Sequence, residues 1–356
     1  YTNTTGANNT AVGYNSLKLN TTGSNNTAVG NRVLLTNTTG AQNTAVGKQA
    51  LLRNTSASNN TAVGFNSLVQ STTSSLNTAV GRQTLFANTT GTSNTAVGAL
   101  SLDAATSGSY NTGTGYASLS VLTTGTFNVA SGYIAGNGIT TGSYNVAIGS
   151  HSLATTTTAS NNTAVGSCAL NKNTSGVDNV AMGTCALDSN TTGSSNVAIG
   201  YSALTTNTSA ANNTAVGHLA LRYNTTGTSN VAVGTTSLDA NTTGNNITAV
   251  GYNALTANTT ASSNVAFGAY VLAANTTGAS NVGLGKSALE KNTTAADNTA
   301  VGAFSLRCNV TGANNTAVGS SALNVNLGSN NTAVGRYALV SNSTGTSNVA
   351  VGNQAL

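Results

Sequence analysis

Few side chains in this sequence could do covalent chemistry, and their spacing keeps them apart. His151 and His218 are the only histidines. With a 17-residue interval as one structural turn, they fall about 19 Å apart along the stacking direction, too far for one site. Asp103, Asp178, Asp188, Asp239, Glu290 and Asp297 are all of the acidic residues. A carboxylate pair for hydrolysis, or an oxygen cage for a cation, needs convergence. Only Asp178 and Asp188 fall in neighbouring turns of the repeat, and at different positions within it, so the six read as solvated charges. Cys168 and Cys185 are 17 apart and Cys308 stands alone. A bridge between the first pair is within reach of stacked turns, but parallel side chains make its geometry awkward, and separate thiols are favoured. Gly113-Thr114-Gly115 and Gly283-Leu284-Gly285 lack the strand-to-helix setting of a nucleotide loop and read as turn glycines. No catalytic residue, metal site or cofactor is expected, and an enzyme ranks last among the readings. Asn-Xaa-Thr triplets such as Asn20-Thr21-Thr22 and Asn25-Asn26-Thr27 match the N-glycosylation acceptor, but their abundance follows from the repeat.

That repeat organises everything else. Asn-Thr-Ala-Val-Gly or a close variant returns along the whole chain, its final glycine at Gly13, Gly30, Gly47, Gly64 and every 17 residues to Gly319, then at Gly335 after 16 and Gly352 after 17. Asn lies four residues before each marker glycine (Asn9, Asn26, Asn43, Asn60 and onward), with Ile247 as the exception. Val or a relative lies one before it and Leu four after it. A second small residue, usually Gly, sits seven before. A fixed period of this size is the signature of a solenoid in which one repeat is one coil. The fold expected is all-β: a parallel β-solenoid, or β-roll, of about 21 coils forming a single domain over residues 1–356.

Each coil is expected to hold two short strands, Thr-Ala-Val and a segment ending in Ala-Leu or Ser-Leu, separated by glycine-bearing turns. Val and Leu are expected inside, with the intervening Ala outside, where a small apolar residue suits close approach of a second chain. The recurring Asn is expected to stack its amide on the Asn of the next coil. A coil with so few large apolar side chains is short of burial, which favours lateral association.

Composition agrees with a fibrous chain: 5% charged residues, no Pro, no Trp and 40 Gly in 356 residues. The net charge of +5 comes from 11 basic and 6 acidic residues spread over the whole length, too dilute for a nucleic-acid groove. No run is long and apolar enough for a membrane helix. Tyr1 begins inside a repeat and Leu356 closes one, so the expectation is a portion of a longer fibre.

Asn9-Thr10-Ala11-Val12-Gly13-Tyr14-Asn15-Ser16-Leu17 and Asn196-Val197-Ala198-Ile199-Gly200-Tyr201-Ser202-Ala203-Leu204 resemble the head repeats of trimeric autotransporter adhesins, with similar repeats in phage tail fibres. The resemblance implies a left-handed β-roll, three chains side by side, and attachment at a cell or virion surface. The repeat here is longer than the usual head repeat by an Asn-Thr-Thr-Gly-like loop, and neck, stalk and anchor are lacking.

The pattern is irregular between about Asp103 and Ser152. Thr114 and Ser131 replace the usual Val, and Gly136 stands where Leu belongs, so a thinned core is expected. Tyr110, Phe127 and Tyr144 are each 17 apart, and Tyr116 and Tyr133 form a second such pair. In register they make aromatic ladders, read either as a platform for sugar rings or a host receptor, or as filling for the thinned core. The leading expectation is thus a structural and attachment fibre, extracellular or virion-borne, and homotrimeric as the resemblance implies. The alternatives are a filament subunit stacking end to end, and an ice-binding or other flat-surface binder. Against the last, the Thr-Thr rows are placed in a loop.

Overall fold

The computed structural model describes residues 2–356, in two compact units that meet in sequence at Asp178 and Asn179. Each unit is a parallel β-solenoid with a 17-residue coil, and no helix occurs among the described residues. The first unit carries ten three-residue strands, β1 (Thr10–Val12) to β10 (Thr163–Val165), and the second eleven, β11 (Val180–Met182) to β21 (Val349–Val351). Within each unit a strand pairs in parallel with the next, residue on equivalent residue: Thr27 with Thr44, Ala28 with Ala45 and Val29 with Val46. The 16-residue coil keeps this register, with Thr316 opposite Thr332, so the missing residue is absorbed in the turns.

Three expectations need correction. The strand faces are the reverse of those predicted. Ala28, Ala45, Ala62 and their equivalents as far as Ala333 are fully buried, whereas the flanking Thr and Val lie on the outside. The interior is too narrow for Val at that point. At β7 (Thr112–Thr114) the inward residue is Gly113, and a Cβ there would lie 2.5 Å from Ser101 Oγ; at Gly283 it would lie 2.4 Å from Val271 Cγ1. A slot that admits a methyl group or less selects Ala, and period-two alternation then turns Val outward. Ala is therefore not on the outside to invite a second chain.

The second segment is not a strand. Its residues form a run of turns in which alternate positions take positive φ, as in Arg32 (57°) and Leu34 (47°). Left-handed residues interrupt an extended chain. The segment is held instead by coil-to-coil hydrogen bonds, Leu17 N–H to Val33 C=O (3.0 Å) and Leu34 N–H to Ala50 C=O (3.1 Å). Leu remains the main interior side chain, fully buried from Leu34 to Leu323. The turn into this segment needs its marker glycine: Gly64 has φ 140°, and a Cβ there would lie 2.2 Å from the Gly81 carbonyl oxygen.

Nor is the core thinned between 103 and 152. Thr114 and Ser131 replace outward residues, so they cost no interior packing. Gly136 is a true loss, and Ile139 fills the space: a Cβ on Gly136 would meet Leu119 Cδ2 at 2.9 Å and Ile139 Cδ1 at 3.3 Å. Ile139 and Leu122, both fully buried, stand where most coils place a second asparagine.

Two asparagine ladders complete the interior. In the expected one, Asn26 donates from its backbone N–H (2.9 Å) and its Nδ2 (3.1 Å) to Asn9 Oδ1, and from Nδ2 to the Gly40 carbonyl (2.9 Å). Ile247 leaves a gap in which only its backbone N–H reaches Asn230 Oδ1 (3.0 Å). The second runs through Asn20, Asn37 and Asn54, where each Nδ2 donates to the preceding Oδ1 and to a carbonyl three residues on. It breaks at Ser71, at Ala105 and at the short coil. The last asparagine before each break, Asn54, Asn88 and Asn309, keeps a buried Oδ1 without a donor. Ser71 pairs with Ser74 at 2.6 Å in place of the usual Asn and Gly or Ala.

Candidate functional site

The region around β7, β8 (Val129–Ser131) and β9 (Val146–Ile148) differs from the rest in what it shows to solvent. Two residues before each strand stands an aromatic residue: Tyr110, Phe127 and Tyr144, with 55%, 46% and 58% of their surfaces exposed. Their rings stack, with centroids 4.9 and 5.1 Å apart and planes within 2° and 5° of parallel. All three take positive φ, 57° to 59°, in a turn that elsewhere holds mostly Asn, Ser or Asp. Bulky residues are disfavoured there, and each ring contact returns about 0.5–1.5 kcal/mol. Two residues after β7 and β8, Tyr116 and Tyr133 form a second stack at 5.5 Å, and His151 tilts against Tyr133 at the same distance.

The outward side chains between these columns are Thr112 and Thr114 on β7 and Val129 and Ser131 on β8. Every other strand ends in an outward aliphatic residue, Met or Phe, so β7 and β8 alone carry a hydroxyl there. The arrangement is a short polar strip flanked in register by aromatic columns. It can present ring edges, two phenol groups of the first column and several hydroxyls to a ligand lying along the coils. The aromatic residues sit outside the core, so they do not serve as its filling.

Elsewhere the outer face of the strands is uniform. Thr or Val occupies the first position and mostly Val or Ile the third, with no charged residue in either row. Many are substantially exposed, among them Val97, Ile148, Ile199, Phe267 and Leu284. In the Asn-Thr-Thr loop the hydroxyl of the first Thr is engaged internally, Thr21 Oγ1 donating to the Thr38 carbonyl (2.9 Å) and Thr38 to that of Thr55 (3.0 Å).

The charged residues act between coils. Arg222 makes a two-pronged ion pair with Asp239 (3.0 and 2.9 Å), and Arg307 pairs with Glu290 (2.8 Å), each across one coil. Burial pushes the Asp239 carboxyl up, with Arg222 opposing. Burial also pushes Glu290 up, but hydrogen bonds from Arg307 and Ser287 and the Arg307 charge outweigh it and hold that carboxyl below its ordinary value. Asp103 has no such partner, and burial raises it. His218 stacks on Tyr201 at 5.4 Å and His151 Nδ1 lies 2.8 Å from Ser150 Oγ. Cys168, Cys185 and Cys308 are half-buried thiols. Among the described residues no three His, Cys, Asp or Glu side chains gather as metal ligands would. A surface hollow of about 370 Å³ lies between Tyr14, Lys18, Leu19 and Arg32.

Sequence reasoning missed the Tyr201–His218 stack, the edge-to-face pair Tyr252–Tyr270 and the second asparagine ladder. The ladder had a signal, Asn at 20, 37 and 54 in the same 17-residue beat. Its polarity hid its burial. No known protein-family model matches the chain, and no curated protein does.

Proposed function

We propose that this chain is a structural and attachment protein, a β-solenoid fibre segment displayed at a cell or virion surface, associating with copies of itself and carrying out no catalysis. The observation that supports it most is the outer strand face: uncharged and Thr- and Val-rich from coil to coil within each unit, with a hydroxyl at the third strand position only at β7 and β8, where aromatic columns flank it. Contiguous exposed apolar rows of this kind mark association surfaces. The resemblance to adhesin heads makes three chains the expected assembly. The aromatic patch is the attachment point for a surface glycan or receptor, since side-by-side rings and hydroxyls suit sugar rings.

Two measurements test this. Sedimentation equilibrium of the full chain should give three times 34.9 kDa; a monomer at all concentrations rejects the assembly. Replacing Tyr110, Phe127 and Tyr144 with Ser should abolish retention on glycan or cell surfaces while the melting temperature is kept. Unchanged retention rejects the patch as the attachment point.

One observation favours a second reading. Thr10, Thr27, Thr44, Thr61, Thr78 and Thr95 form an outward row on the strands themselves, beside a row of Val. The loop threonines are no longer the relevant ones, so a flat-surface binder, including an ice binder, regains support. Thermal hysteresis in a freezing assay separates it from the first reading.

A further inference from the structure

The Asn-Xaa-Thr and Asn-Xaa-Ser triplets form two columns that the fold treats in opposite ways. In the inner column, from Asn20 to Asn309, the asparagine is buried. Both amide hydrogens are committed: Asn37 Nδ2 donates to Asn20 Oδ1 (2.7 Å) and to the Gly40 carbonyl (2.9 Å). A sugar on that nitrogen would remove a donor and place a hexose in a space with no access to solvent.

The outer column belongs to the turn just before each strand. Its acceptors are Asn8, Asn25, Asn59 and Asn161 in the first unit, and Asn212, Asn246, Asn314 and Asn330 in the second. All eight are exposed and take φ between 55° and 61°. In each, the middle residue turns into or toward the core, as Asn26 and Ile247 do completely, while the Thr returns to the outer face. Asparagine and hydroxyl, the two groups that define the acceptor, therefore stand together on the outside. The amides of this column lie outside both interior ladders.

We infer that the outer column is an N-glycan acceptor row usable in the folded protein, and that the inner column is closed to modification by its own hydrogen bonds. The reaction joins the Asn25 amide nitrogen to the anomeric carbon of a glycosyl donor that carries a diphosphate leaving group. The new N–C bond forms as the bond from that carbon to the diphosphate oxygen breaks; the diphosphate fragment leaves with the electron pair, and one amide proton passes to a base of the transferase. The sugars would line one border of the outer strand face, and the aromatic stretch Tyr110, Phe127 and Tyr144, which occupies the same turn, would be left bare. This inference does not depend on the attachment reading.

The test uses the folded full chain in two arms. One supplies a polyprenyl-diphosphate oligosaccharide and a membrane oligosaccharyltransferase; the other supplies uridine-diphosphate glucose and a soluble N-glycosyltransferase. Modified sites are mapped by peptide mass spectrometry. Sugar should appear on the eight outer asparagines in at least one arm, which also identifies the donor class, and be at background on Asn37 and Asn207. Thr27→Ala should reduce occupancy at Asn25 to background, and Leu76→Asn, which creates the triplet Asn-Asn77-Thr78, should add one site. Sugar on Asn37 or Asn207 in protein that keeps its folded circular dichroism would overturn the inference. So would an unmodified folded chain in both arms when the heat-unfolded chain accepts sugar.

Discussion

At the scale of single residues, this fold places many non-glycine side chains at positive φ, a region that costs an ordinary L-residue about 1 kcal/mol. Asparagine tolerates it best, and Asn or Ser holds most of the turn before the strand. Leu76 does not fit that preference: it sits at φ 64° with 59% of its surface exposed, so it bears the strain with little burial in return. Leu76→Asn should raise stability by about 1 kcal/mol, read as a shift in the denaturant midpoint at unchanged slope. Asp103 is the second misfit. Its Oδ1 is buried with no donor, and desolvation raises its carboxyl above the ordinary value. The folded state then holds that proton more tightly than the unfolded state. Stability therefore falls as pH rises from the ordinary carboxylate range through the raised value. Asp103→Asn should raise the melting temperature at pH 7, and the gain should vanish in acid, where the carboxyl is protonated in both states.

At the scale of the repeated element, the inner asparagines behave as a block. A ladder member in mid-run has partners on both sides: Asn207 donates to Asn190 Oδ1 (2.9 Å) and to the Ala210 carbonyl (3.0 Å), and accepts from Asn224 (3.0 Å). Asn207→Leu strands all three and should cost about 3 kcal/mol. The chain avoids such isolated losses around Asp103 to Ser152, where Ala105, Leu122, Ile139 and Thr156 replace four successive members and Asn88 at the border has the orphaned acceptor. Within the inner ladder the unmatched asparagine oxygens lie at borders, so Asn207→Leu with Asn224→Leu should cost clearly less than twice the single change. A double-mutant cycle measures this coupling.

At the scale of the whole molecule, the question is what covers the outer face of the strands. Val46, Val63 and Val80 lie in one outward row on successive strands of the first unit. If copies meet through this row, Val46→Lys, Val63→Lys and Val80→Lys together should lower the mass in sedimentation equilibrium to that of a single chain. The coil-to-coil circular dichroism should persist, because none of the three side chains contributes to the interior. A trimer that survives the three lysines would assign the contact to another face.

The period of Asn-Thr-Ala-Val-Gly determined by itself that the chain is a parallel solenoid, that residues 17 apart are neighbours, and that Gly64 and its equivalents mark a corner. Those conclusions need only the register, and a repeat carries its register openly. Which side of Thr-Ala-Val faces inward was decided by tertiary structure alone. Alternation says that Ala opposes Thr and Val, and it is silent on which set is inside. The width of the chamber settles that, because left-handed turns around Leu34 and its equivalents draw the opposite wall in until only a methyl group fits beside it. The same narrowness explains how Asn37 became core and Val46 became surface, an inversion that hydropathy alone could not reveal.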